Sequence, residues 1–147
     1  MYNLEDEYIY DKEIKERRVI CAHCALARVG LTTFSPVHLD LWTKYPSIDG
    51  VDAAIVRYLY NPNIDYEYEL TPMNTNPLLL LPSKERALVE FIKCEKWCDE
   101  GILIESLKTY LNWFYDEKHL YEVAAYFQLP KETLDYWIKE ALEDEEI

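Results

Sequence analysis

The chain has 147 residues, half of them hydrophobic, which suits one compact domain with its own core. The 15 Lys and Arg residues stand against 28 Asp and Glu residues, giving a formal net charge of −13. This charge disfavours direct binding of nucleic acid or an anionic membrane and favours a basic protein partner, such as a protein that itself handles nucleic acid.

Targeting signals are not evident in the sequence. No stretch approaches the roughly 20 apolar residues that a membrane-spanning helix requires. The acidic N-terminus lacks the cationic start and apolar run of a secretory signal. We therefore expect a cytoplasmic protein whose cysteines are reduced.

The first third of the chain predicts an acidic arm followed by a helix. Residues 1–19 form the arm and the start of the first helix, which is expected from Asp11 to a C-cap at Gly30. Residues 20–143 form a single domain, and residues 144–147 are an acidic tail.

The central segment predicts strands. Apolar and polar residues alternate from Val37 to Trp42, and β-prone runs follow at Ala53–Tyr60 and Tyr66–Leu70. A hairpin-like connection at residues 61–63 separates the last two runs. Leu78–Leu81 is expected to be a further strand because it is too short for a helix. These segments predict a small antiparallel sheet of three to four strands.

From Pro82 onward the sequence is helical. Ser83, Asp99 and Asp116 can each cap a helix, and Pro130 suits the first turn of a last one. Leu88, Phe91 and Ile92 recur at helical spacing and should face the core. The fold class is therefore α+β: an N-terminal helix, the small sheet and a C-terminal bundle of about four helices.

Four cysteines form two close pairs, Cys21 with Cys24 and Cys94 with Cys98. Four thiols can bind zinc in a tetrahedral site. Both pairs are expected inside helices, however, without the glycine-rich turn usual in zinc sites. The preferred interpretation is that they are buried core residues, so we expect no metal and no cofactor.

Catalytic patterns are weak. His23, His38 and His119 are scattered, and with three glycines in the chain there is no glycine-rich phosphate loop. The abundant carboxylates suit a solvated acidic face. We therefore expect a protein that is not an enzyme.

Two segments interleave aromatic rings with carboxylates, which is typical of surfaces that bind a basic protein. The alternative is that the tyrosines belong to the core or the sheet. The candidate partner-binding residues in these segments are Glu5, Asp6, Tyr8, Tyr10, Asp65, Tyr66, Glu67, Tyr68 and Glu69.

Three stretches in the second half resemble the C-terminal domain of AbiEi-type antitoxins: residues 82–88, Asp99–Leu103 and Leu120–Ala124. The helix ending at Gly30 and the strand after it are similar too, so the likeness spans residues 20–143. In bacterial abortive-infection systems such antitoxins are encoded beside a nucleotidyltransferase toxin. The family's N-terminal winged helix has no counterpart in residues 1–19, so we expect no repression of a promoter.

The resemblance implies a non-catalytic protein of a toxin-antitoxin system that counteracts a nucleotidyltransferase toxin, with the acidic, tyrosine-rich surface binding the toxin directly. The alternative is a phage-borne acidic inhibitor of a host defence nuclease, an anti-CRISPR or anti-restriction protein. The neighbouring genes distinguish these two hypotheses.

Overall fold

The computed structural model of the protein describes residues 17–33, 36, 38–50, 52–53, 56–94 and 99–144. Its strands are β1 Arg18–Val19, β2 Leu39–Thr43, β3 Asp52–Ala53, β4 Val56–Tyr60, β5 Leu70–Pro72 and β6 Leu79–Pro82. Its helices are α1 Ala22–Arg28, α2 Lys84–Lys93, α3 Glu100–Trp113, α4 Glu117–Tyr126 and α5 Lys131–Glu143. A single 3₁₀ turn, Pro46–Ile48, follows β2. The predicted α+β class is confirmed, including the four helices of the C-terminal half.

The strands form two mixed sheets of three, in the orders β1–β6–β5 and β2–β4–β3. The pairs β1–β6 and β2–β4 are parallel, while β5–β6 and β3–β4 are antiparallel. An antiparallel bridge between Ile20 and Leu41 joins the two sheets. The predicted purely antiparallel pairing is therefore wrong. The parallel partners are separated by intervening elements, and strand alternation alone does not reveal such pairings.

The first helix is shorter than predicted. Residues 18–19 form β1 rather than helix, and α1 begins at Ala22; residues 11–16 lie outside the described part of the chain. Val19 and Ile20 are β-branched and fully buried between β6 and β2, where strand pairing satisfies their backbone. This burial outweighs the helical periodicity of the sequence.

The predicted end of α1 at Gly30 is confirmed. Gly30 has φ of +80°, and its N–H donates to Ala27 O at 3.1 Å. The N–H of the buried Leu31 donates to Leu26 O at 3.0 Å. These two bonds form a Schellman motif, in which glycine is favoured because it adopts a left-handed conformation without a Cβ clash.

The predicted strand Tyr66–Leu70 and its hairpin to β4 are not formed, apart from Leu70 in β5. The Asp65 carboxylate accepts hydrogen bonds from the backbone N–H groups of Glu67 and Tyr68, both at 2.8 Å. Glu69 has φ of +57°. These features make residues 65–69 a turn, because an Asp side chain that binds the backbone two residues on competes with strand pairing.

Helix α2 lies at the centre of the domain. Its N-cap Ser83 accepts a hydrogen bond from the N–H of Arg86 at 3.1 Å, and the predicted caps at Asp99 and Asp116 are formed as well. The predicted core positions Leu88, Phe91 and Ile92 are all buried. Because α2 contacts α1, α3, α4 and β6, it also buries charged residues. None of the helices described combines the length and apolar character needed to cross a bilayer.

Candidate functional site

The predicted partner-binding residues fall into two groups. Glu5, Asp6, Tyr8 and Tyr10 lie outside the described residues. The other five, Asp65 to Glu69, are brought together in the turn before β5.

Most of that turn is engaged within the chain. The Tyr68 ring stacks on Tyr126, with centroids 3.7 Å apart, and the Tyr126 hydroxyl donates to the Asp65 carboxylate. Glu67, whose side chain is 79% exposed, pairs with Arg17 at 2.9 Å. Tyr66 lies beneath the same Arg17 guanidinium. The turn therefore exposes the Glu67 side chain, while the Tyr66 and Tyr68 side chains are both partly buried.

A buried arginine holds the turn against α2. Arg86 Nη1 donates to Tyr68 O at 2.7 Å, and Nη2 donates to Asp65 O at 2.8 Å. Its guanidinium also lies 4.9 Å from the centroid of the Phe127 ring. The Asp65 carboxyl is partly desolvated, which alone would raise its pKa. Hydrogen bonds from Tyr126, Tyr68 and Glu67 and the charge of Arg86 outweigh this and lower the pKa.

Next to the turn, His119 lies between two carboxylates. His119 Nε2 is 2.7 Å from Glu69 Oε1, and Nδ1 is 3.4 Å from Glu85 Oε1. The second oxygen of Glu85 accepts a hydrogen bond from the Tyr110 hydroxyl at 2.7 Å. Burial, first, and the neighbouring carboxylates raise the pKa of Tyr110, so the hydroxyl remains a donor.

Carboxylates and imidazoles are common metal ligands. Among the described residues, the candidate ligand atoms of Glu69, Glu85 and His119 lie close enough together to be tested as a metal site. Each carboxylate, however, faces a different ring nitrogen. The lone-pair directions of the two imidazole nitrogens diverge, so an ion bound at one nitrogen faces away from the carboxylate at the other. The arrangement fits a polar contact that joins α2, α4 and the turn better than a three-ligand metal centre.

Two of the described cysteines are buried, as expected from the sequence, although the places of the described cysteines relative to the helices differ from expectation. Cys21 precedes α1 and Cys94 follows α2, so neither lies inside a helix; Cys98 is outside the described residues. Cys21 and Cys24 are buried free thiols, while Cys94 is half-buried. Burial, followed by the charges of Asp40 and Glu90, raises the Cys21 pKa well above its usual value. A neutral thiol is a poor nucleophile and a poor metal ligand.

A surface that the sequence reasoning missed lies between α4 and α5. This groove has a volume of about 910 Å³. Its lining residues include Glu117, Lys118, Tyr121, Glu122, Ala125, Leu129, Lys131 and Asp135. The Tyr121 hydroxyl donates to the Asp135 carboxylate on the facing helix. The groove therefore combines the Tyr121 ring with three carboxylates and two lysines.

Beside the groove, three consecutive aromatic residues project from the end of α3. We call Trp113, Phe114 and Tyr115 the aromatic ledge; all three are exposed, and Trp113 is 78% exposed. Tyr115 lies close enough to the groove for Glu117 and Asp135, after burial, to raise its pKa. The signal was present in the sequence, since residues 113–117 place three aromatic residues directly before two carboxylates, a combination of rings and acids that the two predicted segments share.

Comparison of the chain with protein-family models and with curated proteins gives no significant match. The candidate site is therefore defined by geometry and charge: the groove between α4 and α5, with the aromatic ledge at its side.

Proposed function

We propose that the protein is a non-catalytic, antitoxin-like protein that counteracts a nucleotidyltransferase toxin by binding it directly. The observation that carries the proposal is the acidic, ring-bearing surface of the helical half. Residues 99–144 contain eleven Asp and Glu residues against four Lys and Arg residues. The groove lies in this half, and Tyr115 of the aromatic ledge is close to the groove residues Glu117 and Asp135.

The chemistry of that surface suits a basic protein. Exposed aromatic rings supply contact area at small entropic cost, and tryptophan and tyrosine are enriched among the residues that dominate binding energies. Carboxylates around them attract a positively charged surface and speed association. Enzymes that act on RNA present positively charged surfaces to their substrate. The resemblance to AbiEi-type antitoxins specifies that the partner is a nucleotidyltransferase.

Two measurements test this function. The genes beside this one are searched for a nucleotidyltransferase, which is then expressed alone and together with the protein, and growth of the host is compared. We expect the toxin to arrest growth and co-expression to restore it. Tagged protein should also retain the toxin at low salt and release it as ionic strength rises, because surface charge attraction is screened. Growth arrest that persists on co-expression, with no toxin retained at low salt, would refute the proposal.

A further inference from the structure

The groove between α4 and α5 already holds a cation of the chain itself. Lys131 Nζ lies 3.3 Å from Asp135 Oδ2 and 5.8 Å from the centroid of the Tyr121 ring. Tyr121 also donates its hydroxyl hydrogen to the same carboxylate. A ring face and a carboxylate that meet at one ammonium group form a site for a cationic side chain.

The internal cation is weakly held. The Lys131 side chain is 74% exposed, and its partner Asp135 is 46% exposed. Exposed ion pairs four residues apart on a helix contribute only about 0.3–0.5 kcal/mol, because water screens them and the lysine loses side-chain freedom. A competing cation can therefore displace Lys131 at little cost.

An arginine side chain suits the position between Tyr121 and Asp135 better than Lys131 does. Its planar guanidinium can pair with both oxygens of a carboxylate and stack on an aromatic ring at the same time. The buried Arg86 shows this combination in the same protein, since it pairs with Glu90 and lies over Phe127. Glu117 and Glu122 also line the groove, together with Lys118. Their two carboxylates can pair with further basic residues of an extended segment.

The local charge agrees with this geometry. Tyr121 has a raised pKa, first because of burial and then because of the hydrogen bond to Asp135 and the charges of Asp135, Tyr115 and Glu117. The Asp135 and Glu117 carboxylates close to the ring favour a cation there. Lys84 Nζ lies 4.5 Å from the centroid of the Phe114 ring, so the aromatic ledge also attracts a cation.

We propose that the groove between α4 and α5 binds an arginine-bearing, extended segment of a basic protein, whose guanidinium replaces the Lys131 ammonium between Tyr121 and Asp135. The aromatic ledge packs against residues that flank this arginine. The inference rests on the proposed function in taking the partner to be a basic protein, and it specifies where that partner is recognised.

The first test uses a fluorescent peptide of alternating glycine and arginine and measures its anisotropy on binding. Asp135→Asn is compared with Glu140→Gln, which removes an equal charge from an exposed position of α5 outside the residues lining the groove. We expect Asp135→Asn to weaken binding by about tenfold, the loss of roughly one charge-assisted hydrogen bond, and Glu140→Gln by less than about twofold. Equal losses in the two variants would overturn the proposal, because they would indicate attraction by overall charge.

The second test removes the internal competitor. Lys131→Met should strengthen peptide binding by a few-fold more than Lys139→Met, which deletes the same charge from the same helix. The corresponding glycine-lysine peptide should bind more weakly than the arginine peptide and discriminate less between Asp135→Asn and Glu140→Gln. An Lys131→Met variant that binds no better than Lys139→Met would contradict displacement of the lysine.

The outcomes separate this inference from the proposed function. A nucleotidyltransferase that binds wild type and Asp135→Asn equally well would leave the function intact and reject the groove as its site. Groove-specific binding of the arginine peptide, without binding of the nucleotidyltransferase, would retain the groove and reject the function.

Discussion

The Arg86 guanidinium and the Glu90 carboxylate form a two-pronged ion pair within α2, with Nε–Oε1 and Nη2–Oε2 distances of 3.2 and 3.3 Å. Both residues are buried. Since Nη1 and Nη2 also each donate to a backbone carbonyl of the turn before β5, this one side chain connects the central helix to residues 65–69. The polar network is therefore part of what defines the fold.

Replacement of Arg86 by methionine should destabilise the protein strongly. Removing one member of a buried ion pair leaves the other without compensation, at a cost of about 3–5 kcal/mol. Two backbone carbonyls of the turn also lose their donors. The free energy of unfolding measured in urea should fall by this amount, whereas the exposed Lys139→Met should change it by less than about 0.5 kcal/mol. A loss below about 1 kcal/mol for Arg86→Met would show that the turn does not depend on the arginine.

Glu90 should make stability decrease as pH rises. Burial raises its pKa above the usual 4.5, and the charge and hydrogen bonds of Arg86 offset only part of this. The folded chain then binds more protons than the unfolded chain. The contribution of Glu90 is therefore fully present below the unfolded pKa and is lost as pH rises through the folded pKa.

The measurement for Glu90 is the free energy of unfolding between pH 4 and 7 for the wild type and for Glu90→Gln, which keeps the side-chain size but does not titrate. Stability of the wild type relative to the variant should decline as pH rises above the usual pKa of 4.5 and then level off. If the relative stability instead increased with pH, attraction to Arg86 would outweigh desolvation of the carboxylate.

The two Schellman motifs form a matched pair of backbone tests. Helix α4 ends as α1 does, except that Gln128 occupies the left-handed position with φ of +60°. We expect Gln128→Gly to stabilise the protein by about 0.5 kcal/mol and Gly30→Ala to destabilise it by about 1 kcal/mol. A Cβ at Gly30 would meet no atom within 4 Å, so only the backbone conformation is tested there. Thermal unfolding of the two variants should shift in opposite directions; shifts of the same sign would contradict the prediction.

Ser106 in α3 should be replaceable by alanine without loss of stability. Its hydroxyl is fully buried and has no hydrogen-bond partner among the described residues. An unsatisfied buried hydroxyl costs about 1–3 kcal/mol, part of which alanine recovers, and alanine has the higher helix propensity. Ser106→Ala should therefore leave the urea midpoint unchanged or raise it. A clear decrease would mean that the hydroxyl has a partner in solution, such as a buried water molecule.

The sequence by itself determined the features that depend on neighbouring residues. The caps at Ser83, Asp99 and Asp116, the helix end at Gly30 and the core positions of α2 each follow from interactions within one or two helical turns. The α+β class follows from the same local patterns.

The tertiary structure alone decided what depends on distant residues. Strand β1 pairs with β6, which lies far from it along the sequence. Residues 18–19 are therefore strand despite a helical pattern. Residues 65–69 form a turn because Asp65 binds its own backbone and Arg86 binds theirs. The groove between α4 and α5 exists only where two helices meet, and for that reason its arginine site could not be predicted from either helix alone.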